Sequence, residues 1–216
     1  MTSKELKEII LEGENSKVEF KRKFTTYEKI AKELCAFANT VGGMLIIGIE
    51  DNGKIIGIDS EKADYDVIEK ACQFYIYPNL YYEIEVTNLS GKDLIIVFVS
   101  ESRNKPHFVL TDPDNLKSEK AAYVRVGEQS IAASKEMTRV LAAFNDNSPP
   151  LKLSIGDKEK RLFAYMELHN RVRVQDFANL VNISRRRAER LLVRLVKAGI
   201  IQIHIDSGSD YFTFRG

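Results

Sequence analysis

Arg186, Arg187, Arg190, Arg194 and Lys197 recur at a spacing that, at about 100° per residue, gathers them on one stripe of a helix with no acid among them. Ala188, Leu191, Leu192 and Leu195 fall on another arc, so one side of this helix packs and the other is purely cationic. A solvated helix face usually interleaves signs to gain pairs one turn apart. Five like charges in a row, with Arg185 beginning the run, repel one another unless an anion offsets them. Arginine's two-pronged donors match phosphate oxygens and the guanine edge in a major groove. Duplex DNA is therefore the expected partner. RNA, an acidic protein or plain solvation are the alternatives.

Two further sets of residues could bind. Met44 to Glu50 and Lys54 to Ile58 are apolar runs flanking Asn52-Gly53, a dipeptide that supplies two positive φ values and predicts a two-residue β-hairpin. That register sets Ile49 opposite Ile56 and Gly48 opposite Gly57. Facing glycines inside a ladder mean that something approaches bare backbone, either a packed side chain or a ligand or nucleic-acid backbone. Lys21, Arg22 and Lys23, together with Lys17, Arg103, Lys105 and Arg125, could form a local basic patch.

The elements that position these residues announce themselves. Lys17 to Lys21 alternates as a half-buried strand, with Val18 and Phe20 inward and Glu19 outward. Thr25 and Glu28 have capping-box spacing before an apolar stripe of Ile30, Leu34, Phe37, Ala38 and Val41, closed by Gly42. Met1 to Leu11 reads as a short helix, and Asp64 as the cap of a helix to about Tyr75. Tyr82 to Val86 and Leu94 to Val99 make a hairpin across Ser90-Gly91, Tyr123 to Gly127 is another strand, and Ser134 to Phe144 a closing helix. Strands outnumber helices and come as hairpins, which predicts an α+β fold with a mostly antiparallel sheet.

Asn145-Asp-Asn-Ser-Pro-Pro150 is a turn-rich boundary. It predicts a first domain over 1–147, a linker over 148–156 and a second domain over 157–216. The charge divides there too: residues 1–150 carry 19 Lys and Arg against 24 Asp and Glu, whereas 151–216 carry 13 against 7, so the cationic character is C-terminal. In the second domain a helix holding Leu162, Phe163, Met166 and Leu168 precedes Val174 to Val181. Asn182-Ile183-Ser184 turns into the cationic helix, Gly199 stops it, and Ile200 to Ile205 with Tyr211 to Phe214 flank Ser207-Gly208-Ser209 as a wing. The pattern resembles a winged-helix domain. Two cysteines without CxxC spacing and three scattered histidines predict reduced thiols and no zinc site. No apolar run approaches the length of a membrane span and Met1 to Ile10 lacks a signal-peptide core, so a cytoplasmic chain without a membrane partner is expected.

The blocks Glu14-x4-Glu19-Phe20-Lys21, Ala36-Phe37-Ala38-Asn39-Thr40-x-Gly42-Gly43, Ile47-Gly48-Ile49-x-Asp51 and Ile56-Gly57 resemble the AlbA-type DNA-binding domain shared by Schlafen proteins and bacterial transcriptional regulators. Pro106-His107 and Tyr123 to Gly127 extend the likeness over roughly 10–145. The resemblance implies a DNA-binding transcriptional regulator, a homodimer, in which the first domain assists binding, dimerises or senses. It also carries an alternative, since some Schlafen members are metal-dependent ribonucleases and Glu14, Glu19 and Asp51 occupy the matching places of their catalytic and metal-binding trio. Three carboxylates would suit Mg²⁺ or Mn²⁺ acting on RNA or single-stranded DNA. Glu14 and Glu19 point to opposite faces if both lie in one strand, so they converge only if Glu14 sits in the loop before it. Outside that alternative no cofactor is expected.

Overall fold

The computed structural model describes residues 1–24, 26–115, 118–206 and 209–216. They form two compact units, Met1–Ala132 and Ala133–Gly216. In chain order the first contains α1 (Ser3–Glu12), β1 (Val18–Lys21), α2 (Tyr27–Asn39), β2 (Gly43–Ile47), α3 (Glu61–Phe74), β3 (Ile76–Tyr77), β4 (Tyr82–Leu89), β5 (Lys92–Val99), β6 (Phe108–Leu110), β7 (Lys120–Ala121), β8 (Tyr123–Val126) and β9 (Gln129–Ala132). The second contains α4 (Lys135–Ala143), α5 (Asp157–His169), α6 (Val174–Leu180), α7 (Arg185–Lys197), β10 (Ile201–His204) and β11 (Tyr211–Phe214).

The fold is α+β, with a central four-stranded sheet in the order β1-β2-β5-β4. Of the described strand pairings only β1 with β2 is parallel, and α2 is the crossover that a parallel pair requires. Both faces of this sheet are covered, which is why β2 and β5 read as continuous apolar runs rather than alternating ones. Leu45, Ile47, Ile95 and Val97 pack with Ile30, Leu34, Phe37 and Ile68 of α2 and α3. Ile46, Ile96, Val18 and Phe20 pack with Leu6 of α1 on the other face.

The helix caps explain where α1 to α3 begin. Thr2 and Glu5 form a reciprocal capping box at α1. Thr26 caps α2 by accepting from Lys29 N–H; the expected cap, Thr25, lies outside the described residues. Ser60, four residues upstream of the expected Asp64, caps α3, so that helix is a turn longer than its sequence pattern predicts. Val41, expected on the α2 stripe, lies beyond the helix end and is half exposed.

The second unit has its own core of Leu162, Met166, Val174, Phe177, Ala188, Leu192, Leu195, Ile201 and Phe212, joined by Val140 of α4. That apolar contact draws α4 into the second unit, whereas the turn signals at 145–150 predicted the division at 147. Composition marks the turn-rich stretch, but burial decides membership. The wing tip expected at Ser207-Gly208 lies outside the described residues. Among the described residues no helix is long and apolar enough to cross a membrane.

Candidate nucleic-acid interface

Ser184 begins α7 by accepting from Arg187 N–H, and the buried arc of Ala188, Leu191, Leu192, Leu195 and Val196 fixes which way the helix is turned. The opposite side is then set. Arg186, Arg187, Arg190 and Arg194 are exposed, and among the described residues none of the four has an ion-pair partner. Arg187, Arg190 and Arg194 line an open concavity together with Arg139 of α4. The cations at the two ends of the row are engaged within their own unit. Arg185 donates to Glu136 at 2.8 Å, and Lys197 Nζ donates to Ser148 Oγ at 2.5 Å and to the Pro149 carbonyl at 3.1 Å. Glu189, on the packed side, is buried and paired with Arg139. The expected stripe of five cations is thus four free arginines and one tethered lysine.

In the first unit most of the expected basic patch is spent on local acids, while Lys17 and Arg103 are exposed without an ion pair among the described residues. Lys21 pairs with Glu19, Arg22 reaches Glu50 at 3.6 Å, Lys23 holds Asp59 at 2.5 Å and Lys105 holds Glu101 at 2.5 Å. Arg125 is fully buried. Its Nη1 donates to Glu19 Oε2 at 2.9 Å, Glu33 Oε2 at 3.0 Å and Ser130 Oγ at 3.1 Å, and its Nη2 donates to the Asn15 carbonyl at 2.7 Å. The guanidinium lies over the Phe37 ring at 4.9 Å. This one side chain ties together β1, α2, β8 and β9.

The carboxylates follow from that arrangement. Glu19 lies opposite Leu45 in the β1–β2 register, on the face that α2 covers, and is buried rather than outward as its alternation predicts. Glu14 does lie in the loop before β1, and its Oε1 accepts from Phe20 N–H at 2.8 Å. Burial raises the Glu14 carboxyl above the ordinary carboxylate range. The Phe20 N–H opposes this, while the nearby charges of Glu19 and Asp51 push the same way as burial and Lys21 against it. Glu14 therefore feels both of the other carboxylates, yet Lys21 and Arg125 take up Glu19, and among the described residues no group of three His, Cys, Asp or Glu side chains is disposed to hold a metal ion. The residues do not fit Mg²⁺ or Mn²⁺ as they stand.

Gly48 and Gly57 do approach each other, in a shifted register. Ile49 pairs with Ile55 and Glu50 N–H donates to the Lys54 carbonyl, so the loop is Asp51-Asn52-Gly53 rather than Asn52-Gly53 alone. The Gly48 carbonyl accepts from both Ile56 and Gly57 N–H, a local bulge. A Cβ at Gly48 would lie 2.7 Å from Leu94 Cδ2 and 3.0 Å from the Gly57 carbonyl carbon, and one at Gly57 would meet Lys92. Packed side chains take the space that the glycines leave.

Sequence reasoning missed the polar cluster behind α2. Asn39 Oδ1 accepts from His107 N–H at 2.8 Å, and its Nδ2 donates to the carbonyls of His107 and Tyr123 at 2.9 Å each. The His107 ring spans the Pro78 carbonyl and Ser102 Oγ, each at 2.6 Å. Asn39 inside an otherwise apolar helical stripe was the available signal.

The first unit thus combines a mixed sheet entered through β-α-β, a polar cluster of Asn39 and His107, and a separate buried network around Arg125. The chain belongs to the Schlafen, AlbA_2 family, whose model matches residues 14–134. Residues 158–215 match the model of the PCI domain, within the second unit. Solved structures similar to the chain include the DIP2311 protein of Corynebacterium diphtheriae, at 18% identity and a TM-score of 0.47, covering 93% of this chain and 34% of that one. Another is the N-terminal domain of an ATP-dependent DNA helicase RecG-related protein of Nitrosomonas europaea, at 22% identity and a TM-score of 0.38, covering 61% of this chain and 90% of that one. The chain spans about a third of the length of the DIP2311 protein.

Proposed function

We propose that this chain binds duplex DNA through α7 and acts as a transcriptional regulator, with the second unit working as a winged helix and the first assisting binding or assembly. The observation that carries the reading is a row of like charge on one helix face: Arg186, Arg187, Arg190 and Arg194 stand exposed without ion-pair partners among the described residues, whereas Lys21, Arg22, Lys23, Lys105 and Arg125 of the first unit are held by its own carboxylates. Unpaired guanidinium groups on a helix that is otherwise well packed suit phosphates and guanine edges. Membership in the Schlafen, AlbA_2 family agrees with a nucleic-acid partner. The first unit takes a non-hydrolytic role, supported by the pairing of Glu19 with Lys21 and Arg125.

Regulators of this kind act as homodimers whose two recognition helices lie about 34 Å apart, one turn of duplex, and the proposal includes that assembly. The test is a titration of labelled duplex at several salt concentrations. Replacing Arg187, Arg190 and Arg194 with alanine should weaken binding and lower the slope of log K against log salt by roughly 0.9 for each phosphate no longer neutralised. Duplex binding that is absent even at low salt, or unchanged in the triple variant, overturns the reading. Sedimentation of the protein with and without duplex checks the dimer.

A further inference from the structure

The second unit carries another surface, separate from the cationic row of α7. Val172 and Phe212 exchange both backbone hydrogen bonds, at 3.0 and 2.8 Å, so the segment at Val172 forms a third edge beside β11, with β10 on the far side. Val172 and Phe212 are buried in the core. By the period-two rule their neighbours Arg171, Arg173, Tyr211 and Thr213 stand on the opposite face, joined from β10 by Gln202 and His204, which pair with Thr213 and Tyr211. This outer face is built. His204 and Tyr211 stack with ring centroids 4.8 Å apart and 8° between planes, and the Arg171 guanidinium lies 5.7 Å from the Tyr211 ring. Thr213 Oγ1 donates to the Phe214 carbonyl at 3.1 Å and therefore accepts from His204 Nε2 at 2.9 Å, which leaves Nδ1 of that ring as an acceptor. Asp206 engages Arg173 at 3.2 Å, and Arg171 has no carboxylate partner among the described residues.

We infer that this face binds unpaired bases of single-stranded nucleic acid. Tyr211 stands between His204 and the Arg171 guanidinium, so the row offers a base the end of an existing stack to extend and a cation for the adjoining phosphate, the combination that single-strand binding uses. Stacking is tolerant of sequence because every base presents a π face, and the engagement of Asp206 by Arg173 lessens its repulsion of the phosphates. The occupant is a strand with free bases, RNA or DNA, and not a duplex, whose bases are already stacked.

The test uses the full chain and fluorescence anisotropy with four labelled probes of one sequence: single-stranded DNA, single-stranded RNA, a duplex, and a single strand of abasic sites. Wild type should bind both intact single strands about tenfold more tightly than the abasic one. Tyr211→Ala should lower that affinity to the abasic level and leave duplex binding within twofold, while Tyr211→Phe keeps the wild-type values. Arg171→Ala and His204→Ala read the same surface should Tyr211→Ala fold poorly, and each should weaken single-strand binding. The α7 triple variant should lose duplex binding while the preference for intact over abasic strands persists, so failure of this inference and failure of the duplex reading are separable. Equal binding of intact and abasic strands by wild type, or a folded Tyr211→Ala protein that binds single strands normally, overturns it; a difference between RNA and DNA decides which strand is preferred.

Discussion

At the residue scale the first unit turns on Arg125. A guanidinium with no solvent exposure is tolerated because two carboxylates, a hydroxyl and a carbonyl receive its N–H groups, although Nε has no partner. Removing it leaves Glu19 buried beside Lys21 alone. Arg125→Met should therefore destabilise the first unit by about 3–5 kcal/mol in urea unfolding, and the added change Glu19→Gln should recover part of that loss. Equal losses in single and double variants would show that the network holds no coupled charge.

His107 supplies a pH dependence. Burial lowers its pKa from the ordinary 6.5, with Lys105 acting the same way and the Pro78 carbonyl opposing. The unfolded chain takes up a proton near pH 6.5 while the folded site resists, so this contribution to stability is full above that pH and declines as pH falls toward the folded value. Glu14 works with the opposite sign near its ordinary 4.5, because a raised carboxyl pKa favours the folded state as pH falls. A comparison of urea midpoints at pH 7.5 and 5.5, made in wild type and in a His107 variant, reads the histidine's share. Wild type should lose stability over that interval, and His107→Gln should lose less.

At the element scale, what was legible in the sequence is what local chemistry fixes. Ser184 and Gly199 mark the ends of α7, and its apolar arc foretells the arginine face, because a well-patterned helix has one way to lie on a core. The hairpin at Asn52-Gly53 came out one residue off, since its loop also takes in Asp51 and a bulge at Gly48 then brings that residue back beside Gly57, neither of which the turn dipeptide encodes. Nor does alternation in β1 reveal that Glu19 is covered. That depends on Arg125, more than a hundred residues away in sequence, closing over the edge strand. The same locality makes Gly48 sensitive: φ is +100° and Leu94 occupies the space of a Cβ. Gly48→Ala should cost at least 1–3 kcal/mol in strain. Leu94→Ala in the same chain should relieve only the steric part, and thermal melts of the single and double variants check this.

At the scale of the whole molecule, the described apolar clusters each close within one unit. Those of the first draw on residues from Leu6 to Tyr123, and that of the second on residues from Met137 to Phe212. The same chain supplies separate reporters, because Cys35 and Cys72 both belong to the first unit and the sequence has no others. Burial pushes each thiol up to about 12, so neither reacts until its unit opens. Leu192, fully buried among α6, α7 and the hairpin, belongs to the second core. Leu192→Ala should remove about 2–5 kcal/mol from that core. The urea midpoint for thiol labelling should then stay where it is in wild type, while loss of helical circular dichroism begins at lower urea and duplex binding weakens with it. Thiol labelling that shifts in step with the helical signal would mean that the two cores melt as one, and that the charge asymmetry of the sequence has no counterpart in how the molecule comes apart.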